Sequence, residues 1–161
     1  MGFWSDFKSV LSDIGEATGL SELKRNTANA LKRMMNKDTA EASVALLAWV
    51  TMADGEVADE EVDTAIQFIR TDESLSAFNA NELISKYEEH LNALKAGNMT
   101  AKSNIKSVLA TQKDNPEVAS KLIEIACYLG AADGDFDASE KTVVRQACTI
   151  MGVDPAGFDL D

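Results

Sequence analysis

The sequence predicts an all-α fold: a single helical domain of about seven helices, built from two pseudo-symmetric helix-loop-helix halves. Three observations carry that prediction. Apolar residues recur at helical spacing along most of the 161 residues, and no stretch alternates convincingly with period two. Pro is scarce, at 2 residues, while strong helix formers (Ala, Leu, Glu, Lys) dominate. One pattern occurs twice, as ADGEVADEE at 53–61 and as ADGDFDASE at 132–140.

The elements follow in order. Residues 3–14 set Phe3, Phe7, Val10, Leu11 and Ile14 on one helical face, and Gly15 and Gly19 interrupt it. Residues 21–35 form a basic, moderately amphipathic segment. Residues 39–53 are apolar nearly all round, the mark of a buried helix. After the first acidic loop, Val62, Ala65, Ile66 and Ile69 give residues 59–70 one apolar face. Leu75 and Phe78 anchor the loop that follows. Asn79 or Asn81 caps a helix over 81–95 that ends at Gly97. A helix over 99–112 is broken by KDNPE, where Pro116 suits a first helical turn. Residues 117–131 form a second nearly all-apolar helix, the second acidic loop follows, and an amphipathic helix spans 138–151. The chain divides into an N-terminal amphipathic and basic segment, 1–38, and a helical domain, 39–161.

The two loops are 79 residues apart, and that offset carries into the flanking helices. Leu46 meets Ile125, Leu47 meets Ala126, Trp49 meets Tyr128, and Val50 meets Leu129. Beyond the loop Ala65 meets Val144, Phe68 meets Ala147, and Ile69 meets Cys148. Each unit is a buried helix, an acidic Gly loop and an amphipathic helix. Packed face to face, two such units bring their loops together.

Charge narrows the function. The net charge is −12; residues 1–38 hold six bases and five acids, so the rest carries −13. Such a surface repels nucleic acid and attracts cations or basic partners. There is no run of about 18 apolar residues and no secretory signal, so an intracellular place is expected. Cys127 and Cys148 lack CxxC spacing and read as buried free thiols. His90 is the only histidine, and no phosphate-binding Gly motif occurs. The acids sit on loops with no apolar pocket discernible to raise one pKa, so no enzyme is expected.

With Gly55 or Gly134 at position 6 of an EF-hand loop, Glu61 or Glu140 takes position 12. Positions 1 and 3, however, are Val50 and Met52, or Leu129 and Ala131, which offer no carboxylate. One loop is therefore a poor calcium site, because that cation wants 6–8 oxygens. Two loops together differ: Asp54, Glu56, Glu60 and Glu61 facing Asp133, Asp135, Asp137 and Glu140 supply hard oxygen ligands for one divalent cation, calcium first. The competing reading is helix punctuation. Gly55 and Gly134 suit a left-handed residue at a helix end, and Asp137 with Glu140 forms a capping box. Punctuation does not require Asp54, Glu56, Asp133 or Asp135, and a cap carboxylate can also ligate.

The two loops, IQFIRTDESLSAFNANELI between them, KDNPEVASKLIEIACYLGAADGDFDASEKTVVRQAC and the closing GVDPAGFDL together resemble the tellurite-resistance protein TerB family over residues 40–160. The resemblance implies an all-helical fold of two related halves and a non-enzymatic, cytoplasmic role in bacterial resistance to tellurite and related stress, including phage and colicin tolerance. It implies action beside TerC, a membrane protein, and TerD-type calcium-binding proteins. A related domain serves as an interaction module in membrane-anchored DnaJ-type co-chaperones. The family's acidic cation or partner site maps to Asp54, Glu61, Asp133 and Glu140. Two departures matter: Ala58 stands where the second loop has Asp137, and Lys141 where the first unit has Val62. The expectation is a stress protein whose paired loops bind a divalent cation. The alternative is an acidic, co-chaperone-like docking module without a metal site. A third, minor reading makes residues 3–14 a peripheral contact with the inner membrane.

Overall fold

The computed structural model describes residues 36–53, 55, 57, 59–71, 75, 77–131 and 138–158. Within them lie six helices: α1 (Lys37–Thr51), α2 (Asp59–Thr71), α3 (Ala80–Lys95), α4 (Ala101–Ala110), α5 (Pro116–Ala131) and α6 (Ala138–Met151). A 3-10 turn, Pro155–Phe158, follows α6. No strand occurs among the described residues, so the fold is all-α as expected. The helix expected over residues 3–14 lies outside them.

Helix α1 is the centre. It packs against all five other helices, most extensively α3 and α4. From Thr39 to Thr51 every residue except Glu41 is buried. A helix apolar all round can satisfy its surface only inside such a cage. It starts two residues before the sequence pattern suggested, because the cap is Asn36: its Oδ1 accepts from the Thr39 N–H at 2.9 Å. The Thr39 hydroxyl lies 3.0 Å from that oxygen and 2.8 Å from Gln112 Oε1. That contact ties the start of α1 to the buried turn after α4. At its other end, α1 stops at Thr51 because Met52 leaves helical geometry (φ −95, ψ 8).

Two other helix ends show how glycine fixes the chain path. Gly97 has φ +70; its N–H bonds Leu94 O at 3.1 Å and the Asn98 N–H bonds Ala93 O at 3.1 Å. Gly152 has φ +73; its N–H bonds Thr149 O at 3.4 Å and the Val153 N–H bonds Cys148 O at 2.8 Å. Both are Schellman ends, which satisfy carbonyls that a helix terminus otherwise orphans. The second also drops Val153 into the core. Of the two Asn candidates for α3, Asn79 is the cap, accepting from the Asn81 and Glu82 N–H groups.

The 79-residue offset holds in the helix starts. Lys37 and Pro116 both begin a helix, as do Asp59 and Ala138. Asn36 and Asn115 precede the first pair, and each accepts at its carbonyl from the N–H of a buried Ala, Ala40 or Ala119. Five of the seven paired apolar positions, from Leu46/Ile125 to Ile69/Cys148, are buried on both sides. The partners of Trp49 and Val50 fall on side chains outside the description.

Candidate functional site

The first loop begins under a buried hydroxyl pair. The Thr51 hydroxyl donates back to Leu47 O at 2.7 Å, so the Tyr87 hydroxyl, 3.0 Å away, donates to Thr51. Tyr87 is wholly buried, and burial pushes its phenol up to about 12. The Thr51 hydrogen bond opposes that rise, and the Glu61 and Glu88 carboxylates add to it. Glu61 therefore acts electrostatically on a side chain directly beneath the loop. Tyr87 is a core packing residue, and its Thr51 partnership has no local sequence signal.

The chain then turns twice. The Ala53 N–H bonds Val50 O at 3.1 Å, and the Gly55 N–H bonds Met52 O at 3.0 Å. Gly55 has φ +84 and open space where a Cβ would stand. It is needed for its backbone conformation and not for a close approach. That is the left-handed glycine of the punctuation reading, placed three residues beyond the helix cap. Helix α2 then opens on Asp59, Glu60 and Glu61, where carboxylates favour the positive end of the helix dipole.

Glu61 and Glu140 are the third residues of α2 and α6, at equivalent register, and both are half-buried. Each already has an interaction partner. Glu60 lies on α2. Asp54, Glu56, Asp133, Asp135 and Asp137 lie outside the described residues, and so does the capping role expected of Asp137. Among the described residues no three His, Cys, Asp or Glu side chains form a metal-binding group.

What the fold does bring together is the neighbourhood of the two loops. A cleft of about 630 Å³ is lined by Met52, Ala53 and Gly55 from the first loop and by Ser139, Thr142 and Val143 from α6. Gly97 and Lys102 line its other side, and Met99, 94% exposed, stands at its rim. Ser139 lies two residues past the end of the second loop. The two repeated segments thus flank one cavity, although 79 residues separate them.

The remaining chemistry is quiet. Cys127 and Cys148 are free and buried, as expected. Burial raises both thiols, Cys148 to about 12, so neither supplies a thiolate at neutral pH. His90 is half-buried, and burial lowers its pKa below the ordinary imidazole value. Among the described residues no helix is long and apolar enough to cross a membrane.

Curated proteins and solved structures give no match to the chain. A family model does: tellurite resistance protein TerB, over residues 40–160, which takes in all of the repeat from Ala40 to the closing turn. This match covers about three-quarters of the chain, and the chain belongs to the TerB family, with a role related to tellurite resistance.

Proposed function

We propose that the chain is a non-enzymatic, cation-responsive component of the bacterial tellurite and stress response. Its two Asp-Gly loops hold one divalent cation, calcium, and TerC-like and TerD-like proteins at the inner membrane read the loaded face. The supporting observation is the shared cleft, which sets Gly55 of the first loop and Ser139 beside the second on one cavity. The donor set suits the ion: Asp54, Glu56, Glu60, Glu61, Asp133, Asp135, Asp137 and Glu140 offer only hard oxygens. A bound cation supplies the positive charge that offsets repulsion among these carboxylates. The chain itself sets the spacing, through Gly55 and through the equal register of Glu61 and Glu140.

Calorimetric titration with calcium, with magnesium as competitor and a thermal melt at each point, tests this. Saturable heat and a rising melting temperature support it, because a ligand bound only by the folded state stabilises that state. Glu61→Gln or Glu140→Gln alone should then weaken binding by about tenfold or more, the loss expected when a carboxylate ligand leaves an ion that needs 6–8 oxygens. No heat beyond dilution, with melts that follow ionic strength alone, would sink the cation reading.

One observation favours a second reading. Glu61 and Glu140 each already have an interaction partner within the protein, as residues with a role in the fold would. On that reading the acidic face docks a basic partner, in the manner of a co-chaperone module, and cations merely screen it. Partner affinity should then fall gradually with each Gln substitution and steadily with salt.

A further inference from the structure

Where the chain enters α1, a groove of about 510 Å³ runs between the start of α1 and the first half of α3. Ala40, Phe78 and Leu83 give it an apolar floor, and Glu41, Glu82 and Glu89 stand along it. Among the described residues none of these three carboxylates forms an ion pair. Lys37 and Lys86 also line the groove, so its lining carries a net charge of −1. Lys37 is the first residue of α1, so the chain preceding Asn36 leads directly to the groove.

That preceding chain has a fitting composition. Residues 21–35 carry Lys24, Arg25, Lys32 and Arg33 against one acid, Glu22, a net of +3. Residues 36–161 hold ten bases and 23 acids, a net of −13. Leu23, Leu31, Met34 and Met35 lie among the bases. We propose that segment 21–35 of the same chain docks in this groove, with its apolar residues over Phe78 and Leu83 and its bases toward Glu41, Glu82 and Glu89. Length is no obstacle: fifteen residues span about 22 Å even as a helix, and Glu82 to Glu89 is a run of about 10 Å. Docking of this segment would be intramolecular, so its contacts need not overcome the cost of bringing two molecules together. The family match begins at residue 40, so the docked segment belongs to the part of the chain outside it.

Amide hydrogen exchange in the full-length chain tests the proposal. Residues 21–35 should exchange about tenfold or more slowly than in the isolated 21–35 peptide, at every protein concentration and without lipid. Reversing two exposed groove acids together, Glu82→Lys with Glu89→Lys, should remove most of that protection, about fivefold; Glu82 lies in the first turn of α3, so a small fall in melting temperature accompanies it, whereas Glu89→Lys alone should lose part of the protection with little change in melting temperature. High salt should act in the same direction. Exchange equal to that of the free peptide would overturn the proposal, as would protection indifferent to the double reversal. Protection that grows with protein concentration would assign the groove to a second copy instead. Protection that appears only with anionic phospholipid vesicles would assign segment 21–35 to a membrane surface.

Discussion

Helices α1 and α5 occupy the same place in the repeat, start at equivalent residues and follow the same type of residue, Asn36 or Asn115. Yet α1 is caged on all sides, while α5 packs mainly on α1 and α6. Among the described side chains, the difference in burial reduces to two positions. Ala42 and Ala45 of α1 are fully buried. Their counterparts, 79 residues on, are Lys121 and Glu124, partly exposed and paired at 3.8 Å. Neighbouring helices can close over a face of alanines but not over a face of charges. Duplication set where the helices begin; two side chains decided which helix became the centre.

That contrast can be broken most forcefully at Ala45. Ala45→Glu copies the α5 residue into α1 and buries a charge without a partner, a loss of about 3–5 kcal/mol or more, read as unfolding in denaturant titration. Next comes Leu47, fully buried opposite its small counterpart Ala126 in the repeat. Leu47→Ala should lose about 2–5 kcal/mol by the same measurement.

Helices α3 and α6 each hold a buried side chain that titrates at high pH. Tyr87, beneath the first loop, is raised from 10.0 to about 12, and Cys148, in α6, from 9.0 to about 12. Both are acids held neutral in the folded state, so the folded protein retains protons that the unfolded chain releases. Stability is therefore full below about pH 9 and falls as pH rises through the window to about 12, with Tyr87 contributing roughly 2–3 kcal/mol of the fall. Tyr87→Phe should flatten the slope between pH 10 and 12 while leaving the Cys148 portion in place. Denaturant midpoints across that range would show it.

Smaller effects sharpen the picture. Asn36→Ala removes the side-chain cap of α1 and should cost about 0.5–2 kcal/mol. Lys121→Ala should change stability by less than about 0.5 kcal/mol, since a partly exposed pair three residues apart contributes little. A large loss there would mean that α5 is caged as α1 is, and the contrast would fail.

Most of the fold was legible because period and punctuation agree locally. A nearly all-apolar run marked α1, Gly97 marked the end of α3, and Pro116 opened α5. The boundaries that moved were set by contacts outside the pattern: α1 begins at Lys37 rather than residue 39 because Asn36 caps it, and Met52 ends it. The apolar reading of α5 overlooked Lys121 and Glu124, whose exposure depends on what does not cover them. Of the site, the sequence exposed the duplicated carboxylates and the register that equates Glu61 with Glu140. It did not reveal the cleft, because Leu94, Gly97 and Lys102 reach that cavity only through the hairpin of α3 and α4. Nor did it reveal the Tyr87–Thr51 hydroxyl pair, which joins residues 36 positions apart.

A helix touched by every other described helix cannot open alone. Amides in the middle of α1, around Val44 to Ala48, should exchange with solvent only when the whole domain unfolds, whereas those in α2 and the outer turns of α5 can exchange through smaller openings. The slowest α1 amides are thus a gauge of global stability built into the chain. A cation at the loops or a partner in the cleft would announce its binding energy as additional protection there, with no label and no knowledge of where it sits.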